Sequence, residues 1–198
     1  MVVLSGNESS YQVDDAFERL DLTKLHALLS REFWCASATR EDIATRAKNA
    51  WAFGLYAPSG ELVGFCRLIT DRCSFAYLSD VVVEERLRGK GLGSFMLKIV
   101  LGLPEIERCK VACLYTNSDE RAAYYARWGF YVVGRVPSSF GERLVMERVS
   151  KAERSSTPMI TQASARVPLR AFMALASTWL GPFLVGTMVG VVVARRGR

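Results

Sequence analysis

The period of the apolar positions changes several times along this chain. Between residues 16 and 31, Phe17, Leu20, Leu25, Leu28 and Leu29 recur near helical spacing, with Asp14 and Asp15 standing where a cap is expected. Thr39-Arg-Glu-Asp42 has the form of a capping box and predicts a second helix to about Asn49. Aromatic and β-branched runs then take over. Trp51–Tyr56, Glu61–Thr70 and Ser74–Val83 are predicted as strands, the first two joined by a turn at Pro58-Ser-Gly60. A glycine-dense turn leads into an apolar helix over 92–102, ended by Leu103-Pro104. A strand at Lys110–Tyr115, a helix at Asp119–Trp128 stopped by Gly129, and short strands at Phe130–Val133 and Arg143–Glu147 complete the pattern. Meandering strands followed by β-α-β-α-β define an α+β class with a mixed sheet.

Beyond residue 150 the pattern is lost. Residues 151–169 are small, polar and interrupted by two prolines, as in a linker. Ala171 to Ala194 then runs for 24 residues without a charged side chain. As a helix this run would span about 36 Å, against a hydrocarbon core of roughly 30 Å. Arg166 and Arg170 flank one end, and Arg195, Arg196 and Arg198 the other, so the positive-inside rule does not orient it. The expectation is a transmembrane helix at 170–194 followed by a basic tail at 195–198. Gly186 and Gly190 form a GxxxG pair, which leaves open a dimer through that helix face. The first residues, Met-Val-Val-Leu-Ser-Gly-Asn-Glu, lack the basic and apolar regions of a secretory signal. A tail anchor with the body facing the cytosol is therefore expected.

Charge changes the picture once it is located. The chain carries a net charge of +6. Residues 151–198 hold seven basic and one acidic side chain, which leaves 19 of each in residues 1–150. The body is electrically balanced and shows no nucleic-acid footprint. Five cysteines, Cys35, Cys66, Cys73, Cys109 and Cys113, have no metal-ligand spacing, and the single histidine, His26, is remote from them in sequence. No metal is expected. They read instead as reduced, mostly buried thiols, with Cys109 and Cys113 on one face of a strand.

The chemistry is concentrated in Ser79-Asp-Val-Val-Val-Glu-Glu-Arg-Leu-Arg-Gly-Lys-Gly-Leu-Gly-Ser94. A strand enters a basic, glycine-rich turn that opens a helix, so backbone N–H groups converge at a helix N-terminus and suit a pyrophosphate. A Walker A loop fails, because Glu84 stands five residues before Gly89 where glycine is required. A dinucleotide fingerprint starting at Gly89 would require glycine at 94, where Ser94 stands. What fits is Arg-x-x-Gly-x-Gly, as Arg88-Gly-Lys-Gly91-Leu-Gly93. This resembles the pyrophosphate signature of the GCN5-related N-acetyltransferases, the GNAT superfamily. The resemblance extends to Asp80-Val-Val-Val83 before the turn and to Asn117-Ser-Asp-Glu-Arg-Ala-Ala-Tyr-Tyr-Ala-Arg-Trp-Gly-Phe130 after it. It covers roughly residues 11–148.

The resemblance implies a GNAT fold, a central mixed, mostly antiparallel sheet flanked by helices, and acetyl-CoA as co-substrate. It implies transfer of acetyl to a primary amine of a small molecule or a protein. Val81, Val82 and Val83 would pair with the pantetheine arm. Arg88, Gly89, Lys90, Gly91, Leu92, Gly93 and Ser94 would hold the pyrophosphate. Tyr125 takes the position of the acid that protonates the coenzyme sulfur, and its neighbour Tyr124 is expected to pack inward. Asp80 is the nearest acidic candidate for a general base, with Glu84, Glu85 or a water chain as alternatives. Phe33 and Trp34 would wall the acceptor pocket. Arg121, four residues before Tyr125, replaces the small residue common there. Two other readings stay open: a non-catalytic acyl-CoA-binding sensor or scaffold tethered at a membrane, and transfer of a longer acyl group.

Overall fold

The computed structural model describes residues 4–5, 11–139 and 141–150. The predicted linker, transmembrane helix and basic tail lie outside the described residues. Among those described, no helix is long and apolar enough to cross a membrane.

Among the described residues, eight strands form one sheet: β1 (Leu4–Ser5), β2 (Gln12–Asp14), β3 (Trp51–Tyr56), β4 (Leu62–Thr70), β5 (Phe75–Val83), β6 (Val111–Thr116), β7 (Tyr131–Ser138) and β8 (Gly141–Val149). Their order is β1-β2-β3-β4-β5-β6-β8-β7. Only β5 and β6 run parallel; every other pair is antiparallel. The mixed, mostly antiparallel sheet expected from the sequence is therefore present. Helices α1 (Leu22–Leu29) and α2 (Arg40–Lys48) lie on one face, while α3 (Leu92–Leu101), α4 (Pro104–Arg108) and α5 (Asp119–Ala126) lie on the other. Strand alternation assigns side chains to the two layers. On β3, Trp51, Phe53 and Leu55 join Leu92, Met96, Leu97 and Val100 of α3, whereas Ala52 and Tyr56 join Leu25, Leu29 and Ile43 of the opposite layer.

Several expectations are corrected. The predicted helix over 16–31 is a single 3-10 turn, Phe17–Arg19, followed by α1. Leu20 is extended (φ −69°, ψ 109°) and separates the two. Asp21 is the cap, its carboxylate accepting from the backbone of Thr23 and Lys24. Asp14 is instead buried at the end of β2, where it accepts from the Ala16 N–H at 2.8 Å and pairs with Arg19. Asp15 accepts from Trp51 Nε1 at 2.9 Å. The Thr39 capping box forms as read, each residue bonding the other's backbone N–H. Pro104 does not simply end a helix: it occupies the first turn of α4, where its missing N–H carries no penalty. Cys109 caps the end of α4 with its thiol on the Glu105 carbonyl, so it does not share a strand face with Cys113. The last two strands are longer than predicted and form a hairpin.

Candidate active site

The site is built around an irregularity in β5. Phe65 pairs with Val82 and Arg67 with Ser79, so Asp80 and Val81 together oppose the single residue Cys66. This β-bulge is completed by Asp80, which adopts a left-handed conformation (φ 52°) that Asp and Asn tolerate better than most residues. Its carboxylate is held from two sides. Arg67 Nε donates to Oδ2 at 2.6 Å, and Ser79 Oγ donates to Oδ1 at 3.2 Å. Both Arg67 and Asp80 are largely shielded from solvent, so the pair fixes the bend in place.

The bend has a consequence for the neighbouring strand. β5 and β6 pair only from Phe75 to Tyr77 against Val111 to Cys113. Beyond that point the two strands part, and the β6 side of residues 78–83 has no ladder partner among the described residues. The gap is a cleft of about 270 Å³. Leu78, Asp80 and Val81 line it from β5, and Leu114 and Thr116 from β6.

Tyr125 of α5 reaches the cleft from the α3–α5 side of the sheet. Its ring packs edge-on to Tyr124 at 5.3 Å and to Phe130 at 6.3 Å. Burial, reinforced by the neighbouring Tyr124, pushes its phenol well above the usual tyrosine value. It is therefore a proton-bearing hydroxyl across the neutral range. Tyr124 turns toward α3, its hydroxyl 3.5 Å from Ser94 Oγ. A Cβ at Gly93 would lie 3.2 Å from that hydroxyl, so the absent side chain permits close approach of α3 and α5.

The glycine turn delivers the N-terminus of α3 to the end of β5. Gly91 is the N-cap residue with φ 80°, and Gly89 has φ 75°. Gly91 brings no capping side chain to this helix, so the N-cap position itself offers no side-chain acceptor to the first-turn N–H groups at Leu92, Gly93 and Ser94. Lacking a capping carboxylate, the turn suits an anionic phosphate group. Arg88, expected at the phosphate, shapes the turn as well: Nε donates to the Val83 carbonyl at 2.9 Å, and the guanidinium pairs with Glu32 beyond α1.

Phe33 and Trp34 also line the cleft, packed edge-to-face at 5.1 Å. They lie in the α1–α2 connection, which His26 fastens through its Nε2, 3.2 Å from the Ala38 carbonyl. Sequence reading missed the remainder of the lining. Tyr77 and Tyr115 stack edge-on at 5.6 Å, and Arg143 of β8 joins them. Asn117 and Arg121, bonded to each other, contribute from the start of α5. Strand alternation was the available signal for Tyr115 and Arg143. However, β8 sits next to β6 only because β7 and β8 fold as a hairpin on the sheet edge. Among the described residues no group of acidic, histidine and cysteine side chains is arranged to hold a metal.

A splayed parallel pair, a bulged strand and a glycine turn opening a helix make up the site. Residues 48–132 match the family model described as an acetyltransferase (GNAT) domain. Members of this family are acetyl-CoA-dependent acyltransferases. Solved structures agree. A protein from Xanthomonas campestris pv. campestris described as belonging to the GNAT family is 28% identical, with a TM-score of 0.55 over 66% of this chain and 87% of its own. A Vibrio cholerae–hSSAT chimera of spermidine N-acetyltransferase SpeG shares the fold at 16% identity and a TM-score of 0.59, covering 74% of this chain and 99% of its own. The PaiA N-acetyltransferase of Thermoplasma acidophilum, solved with coenzyme A, does so at 18% identity and a TM-score of 0.54, covering 71% and 99%. No curated protein sequence matches the chain.

Proposed function

We propose that the chain is an N-acetyltransferase that moves the acetyl group of acetyl-CoA to a primary amine by direct attack. The observation that carries this is the convergence on one cleft of Tyr125, the bulged strand at Asp80 and Val81, and the two aromatic residues Phe33 and Trp34. The N–H groups of the turn, from Gly89 and Lys90 through Gly91, Leu92, Gly93 and Ser94, would hold the pyrophosphate, and the open edge of Val81, Val82 and Val83 the pantetheine arm. The amine lone pair attacks the thioester carbonyl carbon, the C–N bond forms and the C–S bond breaks. Tyr125 gives its proton to the departing sulfur. Asp80 takes the proton released by the amine, directly or through water, from its fixed position against Arg67.

Calorimetry with acetyl-CoA, with ATP and NAD as controls, is the direct test. Selective acetyl-CoA binding is expected, with coenzyme A release when an amine acceptor is added. Binding without transfer to any amine would point to a scaffold, and no binding by folded protein would refute both readings. We also propose that residues 170–194 anchor the chain in a membrane, with this domain on the cytosolic side.

A further inference from the structure

We propose that the acceptor is an arylalkylamine, a primary amine on a short chain ending in a planar aromatic ring, and that Trp34, Tyr77 and Tyr115 receive that ring. The proposal rests on the acetyltransferase reading and names the substrate class of the same cleft. Alternation along the strands divides the lining in two. Ala76 and Leu78 of β5 and Ala112 and Leu114 of β6 belong to the core shared with α3 and α5. Tyr77 and Tyr115, at odd positions, therefore face the other side of the sheet, the side of α1 and α2. Trp34 packs against the core on that side, and Phe33 stands edge-on to it. Tyr125 enters the cleft from the α5 side. With Tyr125 at the departing sulfur, the amine approaches from the side that carries the aromatic rings.

The rings form two edge-on pairs, Phe33 with Trp34 at 5.1 Å and Tyr77 with Tyr115 at 5.6 Å, and every one of them lines the cleft. In such a pair one ring meets the other by its edge, so its own two faces stay clear of that partner. Phe33 and Tyr115 remain 45% and 49% exposed. Large aromatic surface left open at a cleft, rather than scattered singly, marks a place where apolar ligand surface is buried. Charge on this side favours a single amine. The only carboxylate among the described lining residues is Asp80, already held by Arg67, so a diamine or polyamine finds no counter-charge for its second ammonium. Burial holds the Tyr77 phenol above its usual value, so it adds no negative charge in the neutral range. Arg143 borders the same wall but is already engaged within the protein, and recognition falls to the rings. The cleft, about 270 Å³, must also admit the thioester, which leaves room for a small molecule and not for a folded protein.

The test uses the full chain with acetyl-CoA and four primary amines: 2-phenylethylamine, its saturated counterpart 2-cyclohexylethylamine, n-butylamine and 1,4-diaminobutane. Product is identified by mass, and rates are normalised to the free-amine fraction. 2-Phenylethylamine should exceed n-butylamine in kcat/KM by about 10- to 100-fold, the scale of burying a phenyl group. It should exceed the cyclohexyl compound by about fivefold, since ring pairing adds to the burial of area. Tyr115→Leu, a change at an exposed position, should bring that second ratio to within about twofold. Trp34→Leu gives the same comparison on the other pair, and acetyl-CoA calorimetry on each variant checks that the coenzyme side is intact. Equal rates for the phenyl and cyclohexyl compounds, a ratio untouched by Tyr115→Leu, or preference for the diamine would overturn the substrate class and leave the acetyltransferase reading standing. Acetylation of none of the four, with acetyl-CoA bound, would also overturn it while leaving coenzyme binding in place. Folded protein that does not bind acetyl-CoA would remove the reading on which the proposal rests.

Discussion

Tyr125 combines two properties that seldom coincide in one side chain: it borders the cleft and is buried enough to hold its proton tightly. Replacing it with Phe should lower kcat by about 100-fold while leaving acetyl-CoA affinity within about twofold, the pattern of a lost proton donor. Steady-state kinetics with calorimetry on the same samples checks this. Because its phenol sits above the unfolded value of about 10, the group adds no pH dependence to stability below that point. Above about pH 10 the unfolded chain ionises first and stability falls, a slope that Tyr125→Phe should reduce in alkaline denaturation curves. The glycines are a second case at this scale. Gly91 holds φ 80° at the mouth of α3, so Gly91→Ala should cost about 1–2 kcal/mol in a urea melt and weaken acetyl-CoA binding by about tenfold. Gly134 is the control. It has no positive φ, and an added Cβ would meet nothing within 4 Å, so Gly134→Ala should stay within about 0.5 kcal/mol.

At the scale of elements, the site depends on how β5 ends. The Arg67 and Asp80 side chains are 13% and 7% exposed, so removing the carboxylate leaves a largely shielded guanidinium without its counter-charge. Asp80→Ala should therefore destabilise the domain by about 3 kcal/mol, whereas Asp80→Asn, which tolerates the left-handed backbone and can still accept from Arg67, should lose about 1 kcal/mol. Denaturant midpoints of the two variants give the comparison, and the Asn variant is the one in which a kinetic effect can be read without a folding defect. The same strand shows what the sequence could and could not convey. β3, β4 and β5 were legible almost to the residue, because aromatic and β-branched runs bounded by turns leave few alternatives. Motif spacing singled out Tyr125 and the glycine turn, and the resemblance alone singled out Phe33 and Trp34; all but the turn line the cleft. The bulge was not: it is a register shift of β5 against β4, and no residue type in Ser79-Asp-Val-Val announces it. Nor were Arg67 and Glu32, the side chains that fix Asp80 and Arg88, because each is brought in by a contact between elements distant in sequence. The first helix was misplaced for a local reason, since Phe17 and Leu20 satisfy a 3-10 turn as well as an α-helical one.

For the whole molecule, charge and hydropathy set a basic, apolar remainder apart from a balanced body at residues 1–150. Both faces of its sheet are covered by helices, so its core does not call for a further element to close it. The basic excess and the 24-residue uncharged run both belong to residues beyond 150. That separation argues for a tail with a task of its own. A helix of that length matches a bilayer, and the arginines at both ends would sit at the two interfaces. The full chain is therefore expected to remain in the membrane fraction after carbonate washing. Placing two arginines inside the run, at Val185 and Val192, should release it, since each charge near a bilayer centre costs about 2.5–3.5 kcal/mol on an insertion scale. Acetyl-CoA binding should survive that change, because the glycine turn and Tyr125 belong to the body. If the unaltered chain instead washes off with carbonate, or if the arginine variant stays behind with it, the anchor is excluded. The hydrophobic run would then have to serve contacts between protein chains, with Gly186 and Gly190 as the first positions to test.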